Sequence, residues 1–241
     1  MSKTEEFSSR WGIVLASLGM AIGAGNLWRF PRLAGQYGGA FLILWIFFLL
    51  AWSLPLMMAE FSIGKKYKLG VIGAYSSLAG KKMSWGGFFI TACTLGIAFY
   101  YAVVSGWALR YLGLAIENLG AYLSAGTTIA GQLKENPEYL NNYWASISNG
   151  SVLTIGLYVV SVIAGIYVLP KGIQKGLEKA NKLLIPSLFI LLVIITTLSL
   201  SMENGFKGLE YMFSIDSSHF SNATIWIEAL SQSAWSTGAG W

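Results

Sequence analysis

Charge is scarce in this chain: 11% of its 241 residues are Asp, Glu, Lys or Arg, against about a quarter in an ordinary soluble domain. Histidine and cysteine are scarcer still, with one of each, His219 and Cys93. A single cysteine forms no internal disulfide, and Cys93 reads as a small packing residue inside an apolar run. His219 reads as an ordinary loop residue. No His/Cys/Asp cluster, HExxH or GxSxG string supplies a reactive constellation, so an enzyme is not expected. No nucleic-acid partner is expected either. A cleavable leader is not evident: the first apolar run follows a polar head, residues 1–10, and reads as a retained span.

What the chain has in abundance is apolar surface. Hydrophobic residues make up 55% of it and the mean hydropathy is +0.58. Apolar stretches near 20 residues recur, which is the length a helix needs to cross a bilayer. Six spans are expected, at about 11–33, 39–63, 86–118, 152–169, 179–200 and 225–241. The loop 64–85 carries Lys65, Lys66, Lys68, Lys81 and Lys82 with no acid, and the connection 170–182 carries four lysines against Glu178 alone. The loops 119–151 and 201–224 carry more acid than base. The positive-inside rule therefore puts the lysine-rich loops and the amino terminus in the cytoplasm of a multi-pass protein of the cell's inner (plasma) membrane. The aromatic loop 119–151 is expected to fold as short helices.

The first span is interrupted in its middle. Gly19, Gly23 and Gly25 fall within seven positions, and Asn26 and Arg29 follow at once. Lipid offers no hydrogen-bond partners, so an opened backbone survives at membrane depth only beside a protein-enclosed cavity. Freed carbonyls there can hold a cation and freed N–H groups an anion. The sixth span repeats the pattern: Gly23-Ala24-Gly25 returns as Gly238-Ala239-Gly240, beside Ser231, Gln232, Ser233, Ser236 and Thr237. Glycines alone fit close helix packing. Glycines joined to this many polar groups favour a polar cavity, and two broken helices five spans apart point to a transport site at the midplane.

The strings Gly23-Ala-Gly-Asn-Leu-Trp-Arg-Phe-Pro31, Gly38-Gly-Ala-Phe41 and Pro55-Leu-Met-Met-Ala-Glu60 closely resemble the neurotransmitter:sodium symporter family, in particular its bacterial amino-acid transporter branch. The resemblance runs from about residue 7 to residue 241. It implies an all-α integral membrane protein with the leucine-transporter-like fold. Residues 11–200 would be the first five-helix inverted repeat, 201–224 an extracellular loop, and 225–241 the first half of a discontinuous sixth helix. That is about the first half of the family's length, so a second half of the transporter would be a partner to this one.

The resemblance also implies roles. One sodium ion would be held by the Ala21 carbonyl, the Asn26 side chain and Ser236. A second would use the carbonyls of Gly19 and Ile22. A substrate carboxylate would meet the N–H groups near Gly23 and Gly25, the Tyr101 hydroxyl and the first sodium. Amine carriers of the family have aspartate where Gly23 stands, so the implied cargo is an amino acid. Its side chain would lie among Met20, Ala21, Ile97, Ala98, Trp235, Ser236, Gly238 and Trp241, whose mostly apolar walls suit a neutral hydrophobic residue. Arg29 and Trp235 would form the outer gate, the acidic partner of Arg29 lying on the tenth helix. Glu60 would steady the unwound segments. Two departures stand out. At the inner gate the tryptophan position is Phe7, and the arginine position aligns near Thr4, with Lys3 adjacent. Trp45 replaces the tyrosine of the chloride site, which leaves chloride dependence open.

The implied function is sodium-coupled symport of a neutral amino acid by alternating access. The alternatives are an amino-acid-sensing receptor and a channel-like protein on the same scaffold.

Overall fold

A computed structural model describes residues 8–22, 24–126 and 129–238. They form helices joined by turns, with no strand among the described residues. In chain order the α-helices are α1 (Arg10–Ala21), α2 (Ala24–Tyr37), α3 (Gly39–Phe48), α4 (Leu54–Tyr67), α5 (Val71–Ala79), α6 (Ser84–Ala125), α7 (Ile129–Glu135), α8 (Tyr139–Ser148), α9 (Val152–Val168), α10 (Lys179–Leu200), α11 (Lys207–Phe213) and α12 (Ala223–Thr237). A π-helical turn, Leu49–Ser53, joins α3 to α4 without a break, and a second, Ile173–Glu178, runs into α10.

Among the described residues, four continuous helical stretches are long and apolar enough to cross a membrane: Gly39–Tyr67, Lys81–Ala125, Val152–Lys171 and Ile173–Leu200. Their large apolar side chains point outward, as at Ile166 (62% exposed) and Leu198 (60%). Apolar surface on this scale is not left to water, and the chain is a membrane-embedded one. The first expected span is absent from the four because it is split: α1 ends at Ala21 and Ile22 adopts φ −89°, ψ 53° before α2 begins. The sixth, α12, has 15 residues and is capped by Gly238 in the left-handed region (φ 69°). Part of the segment read as the connection 170–182 is helical from Ile173, because the wide π-turn continues into α10. The helix expected over 86–118 runs Ser84–Ala125. The loop 201–224 contains α11 and a 3-10 turn, Ser217–Ser221, and α7 and α8 are short helices within 119–151.

The described residues fall into two units. The first comprises those up to Thr91 together with those from Lys171 onward, and the second is Ala92–Pro170. The core of the first unit is Leu33, Ala34 and Tyr37 of α2, Ala40, Phe41 and Leu44 of α3, and Ile225 and Ala229 of α12. Phe30 packs edge-on to both Phe41 (5.3 Å) and Trp45 (5.1 Å). Small residues let the backbone approach closely where the chain turns from α2 into α3. Gly38 has φ 54°, and the Gly39 N–H donates to the Ser214 carbonyl at 2.7 Å. Separately, α1 packs on α10. Its N-cap Ser9 accepts from the Gly12 N–H at 3.1 Å.

In the second unit α6 meets α9 at Gly106, where a Cβ would lie 3.1 Å from the Thr154 carbonyl oxygen. The Tyr143 hydroxyl of α8 donates to the Arg110 carbonyl at 2.8 Å, and Trp107 and Trp144 stack edge-on at 5.0 Å.

Candidate functional site

The break between α1 and α2 leaves backbone groups without helical partners. The last carbonyls of α1 are acceptors at its negative end, and the first N–H groups of α2, around Gly25 and Asn26, are donors at its positive end. The C-terminal end of α12 comes to the same place. Asn26 Oδ1 accepts from Gln232 Nε2 at 2.6 Å and lies 3.1 Å from Ser236 Oγ. On its other side the Asn26 amide donates through Nδ2 to the Ala21 carbonyl. Ala21, Asn26 and Ser236, from α1, α2 and α12, are therefore brought together by one side chain. Trp45 of α3 joins them, its indole N–H donating to Ser236 Oγ at 3.2 Å.

One turn along α2, the Arg29 guanidinium pairs with the carboxylate of Glu228 on α12. It also donates to Ser231 Oγ (3.1 Å) and Gln232 Oε1 (3.4 Å). Arg32 Nη2 lies 4.0 Å from the other carboxylate oxygen. Arg29 thus has an acidic partner within this chain, whereas the resemblance placed one on the tenth helix. Ionisable groups in apolar helices survive by such pairing. Gln232 is fully buried, as is Ser233, whose hydroxyl accepts from Ser53 Oγ at 3.0 Å.

Of the other expected site residues, Trp235 stands beside the break: a Cβ on Gly25 would lie 3.8 Å from Trp235 Cε3. Gly19 packs on α10, where a Cβ would lie 3.4 Å from Asn181 Oδ1 and Ile185 Cδ1. Ile22 is the non-helical residue of the break, its N–H donating to the Leu18 carbonyl at 2.7 Å. Met20 lies in the last turns of α1. Glu60 is half-buried rather than enclosed, and lines a cavity of about 620 Å³ with Ser17, Ala21, Met57, Ser236 and Gly238. Ile97 and Tyr101 lie on α6 in the second unit. Gly23 and Trp241, and the inner-gate positions Lys3, Thr4 and Phe7, lie outside the described residues.

Reasoning from the sequence missed Glu228 and gave Gln232 only a secondary role. The signal for Glu228 was available, since an acid inside an apolar span is functional by default. It also missed Glu178, which is 1% exposed and receives the Ser8 backbone N–H at 3.0 Å and Lys182 Nζ at 2.8 Å. Among the described residues no group of three or more His, Cys, Asp or Glu is placed to hold a metal ion. The groups at the break are instead a carbonyl, an amide oxygen and a hydroxyl, an all-oxygen set of the kind hard cations prefer.

Comparison with known proteins gives a consistent set of matches. The model of the sodium:neurotransmitter symporter family matches residues 4–129 and 127–241. A sodium-dependent transporter of Methanocaldococcus jannaschii is 34% identical over 98% of this chain and 47% of its own length. The sodium-dependent neutral amino acid transporter B(0)AT2 of Mus musculus is 28% identical over 97% of this chain and 34% of its own. The sodium-dependent serotonin transporter of Drosophila melanogaster is 26% identical over 100% of this chain and 43% of its own. The chain spans about half or less of the length of the curated relatives it matches.

Proposed function

Because the chain belongs to the sodium:neurotransmitter symporter family, whose members are transporters and not enzymes, we propose that it forms one part of a protein that carries a neutral amino acid into the cell with sodium. The observation that carries this reading is the convergence of the Ala21 carbonyl, Asn26 and Ser236 where α1 gives way to α2. Sodium is cargo here, and these three oxygens are its ligands. To take it up, Asn26 gives up the bond from Nδ2 to the Ala21 carbonyl and turns its oxygen to the ion. The substrate carboxylate meets the free N–H groups at the start of α2. Trp235 covers Gly25 from α12, and Arg29 sits one turn further along. Gly19 and Ile22 offer carbonyls to a second ion, and Glu60 supports the unwound segment from α4.

The lysine-rich connections face the cytoplasm, and one repeat of the transporter rocks against the other to expose the site to each side in turn. The match to a neutral amino acid transporter supports that cargo, and glycine at position 23 supports it over an amine. The match to a serotonin transporter keeps amines as the competing class. Sodium-dependent binding across a panel of amino acids and amines, measured on the full-length protein, tests the reading. Saturable binding of neutral amino acids that vanishes when potassium replaces sodium is expected. Sodium-independent binding, or binding of amines alone, overturns it.

A further inference from the structure

The polar side chains around Asn26 form a chain of hydrogen bonds whose direction is fixed at both ends. A guanidinium can only donate, so Arg29 faces Gln232 Oε1 (3.4 Å). That turns Gln232 Nε2 toward Asn26, where it donates to Oδ1 (2.6 Å). Asn26 then presents Nδ2 to the Ala21 carbonyl, which can only accept. Every donor along this path meets an acceptor, and neither amide can be reversed alone. Glu228 holds Arg29 at its end of the path.

A sodium ion between Ala21 and Asn26 needs the opposite direction. Asn26 must turn Oδ1 toward the Ala21 carbonyl oxygen, because the ion takes oxygen from both. Nδ2 then faces Gln232, and Gln232 must answer with Oε1. Its Nε2 is left against the guanidinium, donor to donor, in a residue that is fully buried. Burying an unsatisfied donor is costly, so the contact with Arg29 is lost.

We infer that Gln232 is a polarity relay that makes sodium at Asn26 and Arg29 at Gln232 mutually exclusive. The inference rests on Ala21, Asn26 and Ser236 forming a sodium site. Arg29, Gln232 and Glu228 are positioning residues: none touches the ion, and each acts through Asn26. Sodium entry releases Arg29 from Gln232. By reciprocity, anything that draws Arg29 away tightens sodium binding by the same factor.

A double-mutant cycle tests this with sodium alone as the probe, by radiolabelled-sodium binding to the full-length protein. Arg29→Met is expected to raise sodium affinity by about fivefold or more in the wild-type background. In a Gln232→Leu background the same change is expected to have an effect of about twofold or less. Removing a cation also favours sodium through its field, but that contribution is common to both backgrounds. An equal change in both, no change, or a loss of affinity overturns the relay. If Arg29→Met does not fold, Glu228→Gln, which keeps the side-chain shape and loosens the hold on Arg29, takes its place in the cycle with a smaller gain in the same direction. Asn26→Ala belongs in the series as well. If it binds sodium as the wild type does, the sodium site itself is wrong. If it loses sodium while the cycle shows no coupling, only the relay falls.

Discussion

Glu178 holds the start of α1: its carboxylate accepts the backbone N–H of Ser8 at 3.0 Å and also the Ser8 hydroxyl, at a position that is 1% exposed. Lys182, one turn on in α10, supplies the balancing charge at 2.8 Å. The carboxylate lies at the positive end of a helix, where an anion is favoured. Since α1 breaks from α2 at Ile22, this contact fixes the end of α1 far from the break.

Gly12 is part of that contact. A Cβ there would lie 2.6 Å from Glu178 Cδ and 2.7 Å from Oε1, and the carboxylate is pinned by Ser8 and Lys182. Gly12→Ala is expected to displace it and cost about 1–3 kcal/mol through the lost charge-assisted bonds. The readout is a lower thermal midpoint for the detergent-solubilised protein. An unchanged midpoint would show that Glu178 moves aside freely.

Gly39 and Gly35 make a contrasting pair. A Cβ on Gly39 would lie 2.6 Å from the Ser214 carbonyl oxygen, while nothing lies within 4 Å of one on Gly35. The obstacle at Gly39 is backbone, which no rotamer change relieves. Gly39→Ala is expected to abolish or sharply reduce the folded yield. Gly35→Ala, in the interior of α2, is expected to stabilise by about 0.5–1 kcal/mol. Size-exclusion profiles of the two variants decide the matter, and similar yields would count against the packing of α3 on the chain after α11.

Asn26→Ala removes a side chain that joins α1, α2 and α12 at the break. Sodium affinity and amino-acid binding are expected to fall together, by about tenfold or more if a charge-assisted contact of 1.5–3 kcal/mol is lost. Binding assays at varied sodium concentration check this. Amino-acid binding that survives at undiminished affinity would separate the cargo from the ion.

At Gly25 the response is expected to be graded. The first carbon beyond the backbone stands in ordinary contact with Trp235, at 3.8 Å. Gly25→Ala therefore keeps part of the amino-acid binding, and Gly25→Leu, whose branch meets the indole, loses it. The measurement is the dissociation constant for a neutral amino acid in each variant. Equal constants for Leu and Gly at this position would remove the carboxylate from the start of α2.

What was legible in the sequence was whatever a local rule forces. Three glycines followed by Asn26 weaken a helix at membrane depth, and the helix breaks at Ile22, within that cluster. Long apolar runs become long helices for a similar reason, since lipid leaves the backbone no other partner. What was not legible depends on which distant residue arrives opposite. Glu228 meets Arg29 only because α2 and α12 share a core, and no spacing in the sequence encodes that. Glu178 stands among lysines and looked like part of a solvated connection, yet the fold buries it under α1. The π-turn Leu49–Ser53 has no composition to betray it: Leu-Leu-Ala-Trp-Ser reads as any apolar helix.

That turn governs the aim of the second span. Trp45 reaches Ser236, and Ser53, eight residues later, reaches Ser233 on the same helix. In an uninterrupted α-helix, eight residues at about 100° each leave two side chains roughly 80° apart. The wider turn rotates less per residue and brings both onto one line. Everything downstream inherits the correction, so the direction in which Met57, Glu60 and Phe61 look is decided a full turn or more before them, by slack in the turn Leu49–Ser53.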